Sequence, residues 1–332
     1  VAGPREKIYP FFLGMAGCPG ECIYCDQRRT ADAGGTPSPA DVTAALDRYL
    51  DGAGFWTVAF YGGTFTGLPV DTIKAYLGAV RASRHADVIE GVRVSTRPDM
   101  VDDDVLAVLA DGRVRTVELG VQSFDDGVLR TAGRGYTAGE AAAACDKVKA
   151  MGFILGVQLM AGLPGEDPGA WTASVERTVE VGPEFVRLYP TLVISDTELA
   201  DEYETGKYVP LGLDEAVEKC ADACESFLGA GIRVERVGLQ EISGLSDQVV
   251  AGPYHPAFGD LVWTEAMRRR LEKTLDGFTG EVTVRANGRT APAVIGHGRK
   301  NAEYFRETVG INLFVKLDNE LTDYAVEVVN SR

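Results

Sequence analysis

Three of the chain's six cysteines fall in the stretch Gly17 to Gln27, G-C-P-G-E-C-I-Y-C-D-Q, with the spacing C-x3-C-x2-C. That spacing lets Cys18, Cys22 and Cys25 turn inward from one short loop, and converging thiolates suit soft metals, above all iron in a sulfide cluster. Only three ligands come from the loop. A four-iron cluster held there keeps one iron open, which an electron carrier does not need and a catalyst binding a chelating ligand does. A zinc knuckle with an outside fourth ligand, or one disulfide with a spare thiol, are the other uses of such a loop. Structural zinc usually shows two half-sites, and only one C-x2-C is present. A disulfide needs an oxidising compartment, whereas an acidic composition and no leading apolar signal segment point to a reducing, cytoplasmic one.

The other candidate ligands are less promising. Cys220 and Cys224 lie on one face of a helical pattern and Cys145 lies in an alanine-rich one, the pattern of buried cysteines acting as small apolar residues. His85, His255 and His297 show no metal-ligand spacing. Of these, His255 in the irregular P-Y-H-P loop is a candidate substrate-facing group, with a turn held by two prolines as the alternative.

The elements that must position the cysteines follow from the pattern of the chain. Its 332 residues, 45% hydrophobic and 25% charged, suit one large domain with an accessory one. No apolar run is long enough to span a membrane. A net charge of -16 repels phosphate backbones at long range, so nucleic-acid binding requires a local basic patch. Arg268, Arg269 and Arg270 are one candidate patch, a solvated helix face being the alternative. Arg299 and Lys300 are another.

Residues 8–14 read as a strand that Pro10 places at an edge or a strand start, and the cysteine loop follows it. Ser38 and Pro39 supply a cap and a first-turn proline for a helix over 40–50. The run F-W-T-V-A-F-Y at 55–61 reads as a strand buried on both faces. Helices near 70–82, 102–110, 138–151 and 168–181 then alternate with strands near 91–96, 114–121, 153–159 and 184–190. Such alternation means an α/β fold with parallel strands, either a doubly wound sheet or a barrel. A helix over 213–229 and a strand near 232–237 extend or close the wall. After Gly238 the chain is irregular to 258, followed by a helix near 259–275 and β-rich segments near 281–286, 292–296, 311–317 and 322–329. Residues 1–238 are thus expected to form the main domain, with cluster loop 17–27, and 239–332 a small C-terminal α/β appendage packed on it.

In parallel α/β folds ligands sit past the C-terminal ends of the strands, and the residues there are informative. Gly62-Gly63-Thr64 follows the second strand, where glycine permits close approach of a ligand to the backbone. The cysteine loop with Tyr24 just before its last cysteine, C-x3-C-x-aromatic-C, resembles that of the radical S-adenosylmethionine (SAM) superfamily. V-E-L-G-V-Q-S-F-D-D-G-V-L at 117–129 and G-R-G-Y at 133–136 resemble a segment shared by oxygen-independent coproporphyrinogen oxidase and the catalytic subunit of Elongator. S-T-R-P-D at 95–99 and E-L-G-V-Q-S favour the Elongator side, and A-G-P-Y-H-P-A-F at 251–258 resembles short bacterial proteins of that group.

The resemblance covers about residues 8–240 and implies a partial (β/α)6 TIM-like barrel. It implies a [4Fe-4S] cluster on Cys18, Cys22 and Cys25, whose open iron chelates S-adenosyl-L-methionine. Gly62, Gly63 and Thr64 would bind the cofactor's amino group, and Ser95, Gln122, Arg134 and Gln158 would face its ribose and carboxylate. The implied reaction is reductive cleavage of SAM to a 5'-deoxyadenosyl radical that takes hydrogen from an unidentified substrate, small molecule or RNA. The electron would come from a one-electron reductant such as a flavodoxin or ferredoxin, and loops 189–212 and 239–258 would wall the substrate. A transfer-RNA-modifying component acting with a partner, and a non-catalytic iron-sulfur electron carrier or sensor, are the other function classes. Two departures stand out: no segment after Gly238 reads as an acetyl-coenzyme A phosphate loop, and Tyr136 stands where related sequences commonly have histidine.

Overall fold

The computed structural model describes residues 7–20, 22–25, 35–52, 54–239 and 245–331. They divide into two compact units, Pro4–Gly212 with Ser226–Tyr254, and Leu213–Glu225 with His255–Arg332.

The larger unit opens with β1 (Lys7–Phe12), and α1 (Pro39–Tyr49) follows under a capping box in which Ser38 and Asp41 satisfy each other's backbone N–H groups. Strand and helix then alternate through β2 (Trp56–Tyr61), α2 (Val70–Ala82), β3 (Ile89–Thr96), α3 (Asp103–Asp111) and β4 (Val114–Gln122). Next come α4 (Asp126–Thr131), α5 (Ala138–Ala150), β5 (Ile154–Ala161), α6 (Pro168–Val181), β6 (Phe185–Pro190), β7 (Val193–Ile194) and α7 (Glu198–Glu204). After α8 (Leu213–Gly229), which is divided between the units, β8 (Arg233–Val237) and β9 (Val249–Ala251) complete this part.

Seven of these strands form one parallel sheet in the order β1-β2-β3-β4-β5-β6-β8, a curled half-barrel. The expected 232–237 strand extends its wall by pairing with β6. Pro10 sits on the edge strand, where its missing N–H costs no ladder bond. β2 is buried along most of its length, as its unbroken apolar run requires. Short α4 and α7 were not anticipated; each is capped by an Asp or Thr side chain but is too brief to show helical periodicity.

Alternation along the strands decides what faces inward. Arg93 and Ser95 on β3, Glu118, Gly120 and Gln122 on β4, and Gln158 and Met160 on β5 are spaced by two and therefore share a face. Registry places Ser95 beside Glu118, and Gln158 beside Arg187. This polar face is the barrel interior, and apolar residues such as Val94, Leu119 and Val157 on the opposite face are fully buried.

In the smaller unit α9 (Phe258–Thr274) leads to β10 (Gly280–Ala286), α10 (Ala291–Ile295), α11 (Lys300–Tyr304), β11 (Ile311–Leu317) and β12 (Glu327–Ser331). β10 is the central strand, parallel to β11 and antiparallel to β12. The β-rich segment expected near 292–296 is instead the helix Ala291–Ile295, ended by Gly296. The apolar run A-P-A-V-I is short, and Pro292 in the first turn favours a helix start. The strand expected over 322–329 is confined to the five residues of β12. The Arg268–Arg270 triplet is engaged within the unit: Arg268 pairs with Glu265 and Glu272, Arg269 with Glu265 and Asp222, and Arg270 donates to the Tyr324 carbonyl.

Candidate functional site

The cysteine loop leaves β1 and is closed by its own backbone. Ala16 N–H donates to Leu13 O at 3.1 Å, Cys18 N–H to Met15 O at 3.0 Å, and Cys25 N–H to Cys22 O at 3.2 Å. Between the cysteines, Ile23 and Tyr24 are buried among Val128, Ala132, Leu163, Leu199 and Tyr208, so the loop is held by apolar packing. Ile23 also donates to Ala132 O and accepts from Leu199 N–H.

The Gly-Gly-Thr turn after β2 interlocks with this loop. Thr64 N–H donates to Ala16 O at 2.9 Å. A Cβ on Gly17 would stand 2.2 Å from Thr64 O, one on Gly63 2.3 Å from Ala16 O, and one on Gly67 2.2 Å from Gly17 O. Both Gly17 and Gly63 have positive φ. Only glycine allows two backbone segments this close in that conformation. The sequence pointed to Gly62 and Gly63 for a ligand; that Gly17 and Gly67 serve the same contact needed the fold.

Both segments open onto one cavity of about 320 Å³, lined by Cys18, Cys22, Cys25, Gly62, Gly63, Thr64, Ser95, Gln122, Arg134 and Gln158. All ten site residues expected from the sequence are therefore brought together. Leu192, Ile194, Leu239 and Leu245 from the two expected wall loops join them. His255 is not among the lining residues; its Nδ1 accepts from Ala257 N–H at 3.0 Å, which makes it a turn residue.

Three of the ten carry buried oxygens with no hydrogen-bond partner among the described residues: Thr64 Oγ1, Ser95 Oγ and Gln122 Oε1. Buried polar atoms are rarely left so, because each costs about 1–3 kcal/mol unless something satisfies it. Gln122 also has φ 68 beside a register shift in the β4–β5 pairing, and a Cβ on Gly120 would come within 2.9 Å of its amide nitrogen. Backbone in that region is costly for a residue with a side chain and is found where function demands it. Gln158 has a partner, donating to Glu118 Oε2 at 3.3 Å.

Arg134 is buried behind Cys22. Nη1 lies 3.1 Å from Cys22 Sγ and 3.3 Å from the Tyr24 hydroxyl, Nε donates to the Tyr136 hydroxyl at 2.8 Å, and Nη2 donates to Gly120 O. Burial pushes the Tyr136 phenol up to about 12, so it keeps its proton and donates to Gly120 O at 2.8 Å. Tyr136, at the position of the commonly found histidine, thus fixes the Arg134 fork from the side away from the sulfur. Arg97 adds a second guanidinium 3.5 Å from Cys22 Sγ, itself paired with Asp99 at 2.9 Å.

Among the described residues four arginines, Arg97, Arg134, Arg187 and Arg236, line the cavity and no Asp or Glu does, on a chain with a net charge of -16. Beside it Glu118, fully buried, is clasped by Arg187 Nε at 2.7 Å and Arg93 Nη1 at 3.3 Å, and Arg93 Nη1 also reaches Glu235 at 3.1 Å. Sequence reasoning passed over this network. Its signal was a charged residue at alternate positions of otherwise apolar strands.

Among the described residues no three Cys, His, Asp or Glu side chains gather closely enough to ligate one metal ion. A four-iron cluster asks for something else, three thiolates from one loop, and Cys18, Cys22 and Cys25, none of them in a disulfide, all line the cavity. With two guanidiniums at the Cys22 sulfur, the chemistry of this donor set fits such a cluster.

The model of the radical SAM superfamily matches residues 13–177, and that of the radical SAM C-terminal domain matches 183–269. The chain belongs to the radical SAM superfamily, enzymes that use a [4Fe-4S] cluster and SAM. Its relatives include members of the Elongator-like group. The chain is 28% identical to a tRNA uridine(34) acetyltransferase of Dehalococcoides mccartyi, over 71% of this chain and 60% of that protein. It is also 28% identical to the heme chaperone HemW of Lactococcus lactis, over 58% of this chain and 51% of that one. It therefore spans less than two thirds of either relative. Among solved structures, an N-terminally truncated archaeal Elp3 from Methanocaldococcus infernus superposes with a TM-score of 0.60 at 20% identity, over 81% of this chain and 63% of that one. Coproporphyrinogen III oxidase (HemN) from Escherichia coli gives 0.52 at 17% identity, over 68% and 53%. Among the described residues no helix is long and apolar enough to cross a membrane.

Proposed function

We propose that this chain cleaves SAM reductively and directs the resulting radical at a substrate held in the same cavity. The observation that carries the proposal is the cavity itself, lined both by three cysteines outside any disulfide and by three residues whose buried oxygens lack partners among the described residues. When bound, the cluster supplies the electron and SAM the 5'-deoxyadenosyl radical that removes hydrogen from substrate. The rest is the work of this chain's residues. Cys18, Cys22 and Cys25 would hold the cluster through their thiolates. Gly62, Gly63 and Thr64 present backbone and hydroxyl groups to an ammonium group. Ser95 and Gln122 hydrogen-bond ribose hydroxyls, their unpartnered oxygens gaining the bonds they lack. Gln158, anchored by Glu118, adds an amide at the ribose side. Arg134 compensates the negative charge at Cys22 and of a neighbouring carboxylate. The apolar wall of Met160, Leu192, Ile194 and Leu245 excludes water.

A flavodoxin or ferredoxin is the class of reductant that delivers single electrons to such a site. The substrate is a small molecule or RNA, and the similarity to a tRNA uridine(34) acetyltransferase makes transfer RNA the first class to screen. Electron paramagnetic resonance of the anaerobically reconstituted, reduced protein tests the reading. SAM should change the spectrum of the reduced cluster by ligating its open iron. A spectrum indifferent to saturating SAM would make the protein an electron carrier or sensor.

A further inference from the structure

The smaller unit carries a loop that the reading above leaves unused. Gly296-His297-Gly298-Arg299 joins α10 to α11, and the two helices connect the adjacent parallel strands β10 and β11. Val282, Val284, Val294, Phe305 and Ile311 close a core beneath them. Two strands joined by a helix, a glycine-bearing tetrapeptide and a second helix resemble the K-homology module, whose G-x-x-G loop clamps about four nucleotides of backbone. Here the fourth position is Arg299, yet it holds φ 68, in the left-handed region that glycine favours. The base of the loop is pinned. His297 N–H donates to Thr264 Oγ1 at 2.8 Å, and buried Asn301 donates through Nδ2 to Thr264 O and Ala293 O, each at 2.9 Å. A Cβ on Gly296 would strike Asn301 N at 2.7 Å, whereas one on Gly298 would meet nothing within 4 Å. The tip, His297 to Lys300, is exposed.

Charge supplies an independent observation. Residues 255–332 contain as many Lys and Arg as Asp and Glu, so the chain's whole excess of negative charge lies before them. Within this segment Arg268, Arg269, Arg285, Arg289 and Arg306 pair with carboxylates, and Arg270 with a carbonyl. Among the described residues Arg299 and Lys300 have no such partner. Two unpaired cations at the tip of a rigidly based loop leave their charge available to an anion.

We propose that the Gly296–Arg299 loop, with Lys300, binds the backbone phosphates of a single-stranded nucleic acid. The neutral charge of this segment lets a polyanion approach where the acidic remainder of the chain repels it. Binding here needs neither the cluster nor SAM, so it stands or falls apart from the radical chemistry.

The test is fluorescence anisotropy of the full chain against a labelled single-stranded RNA of about 12 nucleotides, the same sequence as DNA, and a duplex. Single strands should bind at low salt. Arg299→Gly with Lys300→Ala should weaken binding roughly tenfold and flatten the salt dependence by about 0.7 in log–log slope for each phosphate no longer neutralised. Arg299→Gly relieves the positive φ, so weaker binding could not be ascribed to misfolding. Gly298→Asp enters open space at φ 60, a conformation Asp tolerates better than most residues, and should weaken it too with an unchanged thermal unfolding midpoint, while Arg289→Gln should leave it unchanged. Tighter binding of RNA than DNA would assign the natural ligand to RNA; equal binding would assign it to single strands of either sugar. Absence of binding at low salt, affinity indifferent to the loop variants, equal weakening by Arg289→Gln, or a duplex bound as tightly as the single strands would each overturn the proposal.

Discussion

Replacing Gly17 by alanine should loosen the contact between the cysteine loop and the turn after β2. The new Cβ would stand 2.2 Å from Thr64 O and 2.9 Å from Leu68 N, both backbone atoms, and the neighbouring backbone is tied by the bond from Thr64 N–H to Ala16 O. Holding alanine at φ 70 costs about 1–2 kcal/mol, and forcing atoms into packed surroundings about 1–3 kcal/mol more, giving roughly 2–5 kcal/mol together. Gly152 provides the comparison, since its φ is 79 and a Cβ there meets nothing within 4 Å. Gly152→Ala should therefore show the conformational cost alone, about 1–2 kcal/mol. Equilibrium urea unfolding of the metal-free proteins, followed by circular dichroism, measures both. Iron bound per chain after reconstitution should fall for Gly17→Ala and hold for Gly152→Ala. If Gly17→Ala were no more destabilising than Gly152→Ala, the interlock would not be what holds the two segments together.

Three further outcomes follow from the same geometry. Substituting Cys18, Cys22 or Cys25 by alanine should abolish iron-sulfur absorbance, while alanine at Cys145, Cys220 or Cys224 should preserve it; the reverse pattern would overturn the ligand assignment. Arg134→Ala removes a buried cation from Cys22 and should weaken SAM affinity by roughly 30-fold or more, on a cost of about 2–5 kcal/mol for breaking a buried charge pair. Arg134→Lys keeps the charge without the fork and should fall between, and calorimetry on samples of equal iron content would detect either. Burial pushes the Cys145 thiol up to about 12 from an ordinary 9.0, so its folded form should resist iodoacetamide at mildly alkaline pH while the unfolded chain reacts. Because the folded thiol binds its proton more tightly, the associated stability is complete below the unfolded value and is lost as pH rises from there toward 12. Labelling of Cys145 in the folded chain at pH 9 would contradict that burial.

Much of the site was legible because its parts follow strand ends, where a parallel α/β fold gathers ligands. The cysteine loop, Thr64, Ser95 and Gln122 lie far apart in sequence yet line one cavity. What could not be read was how they are held. The clash distances at Gly17 and Gly67 exist only once two loops meet, and Tyr136 acquires its role through a fork whose other end is at Cys22. Glu118 sits in a motif that carries the family resemblance, yet its two arginine partners come from other strands and only the sheet register brings them together. The Ala291–Ile295 helix eluded periodicity because five apolar residues serve a buried strand or a helix turn equally well.

The central claim is that the three-thiol cavity turns over SAM, and the most direct measurement is release of 5'-deoxyadenosine by the reconstituted, reduced protein under anaerobic conditions. The account predicts slow release without substrate, faster release when an extract containing the true substrate is added, and none from a Cys22→Ala variant. Absence of 5'-deoxyadenosine from a fully loaded, fully reduced protein, with or without such extracts, would contradict it.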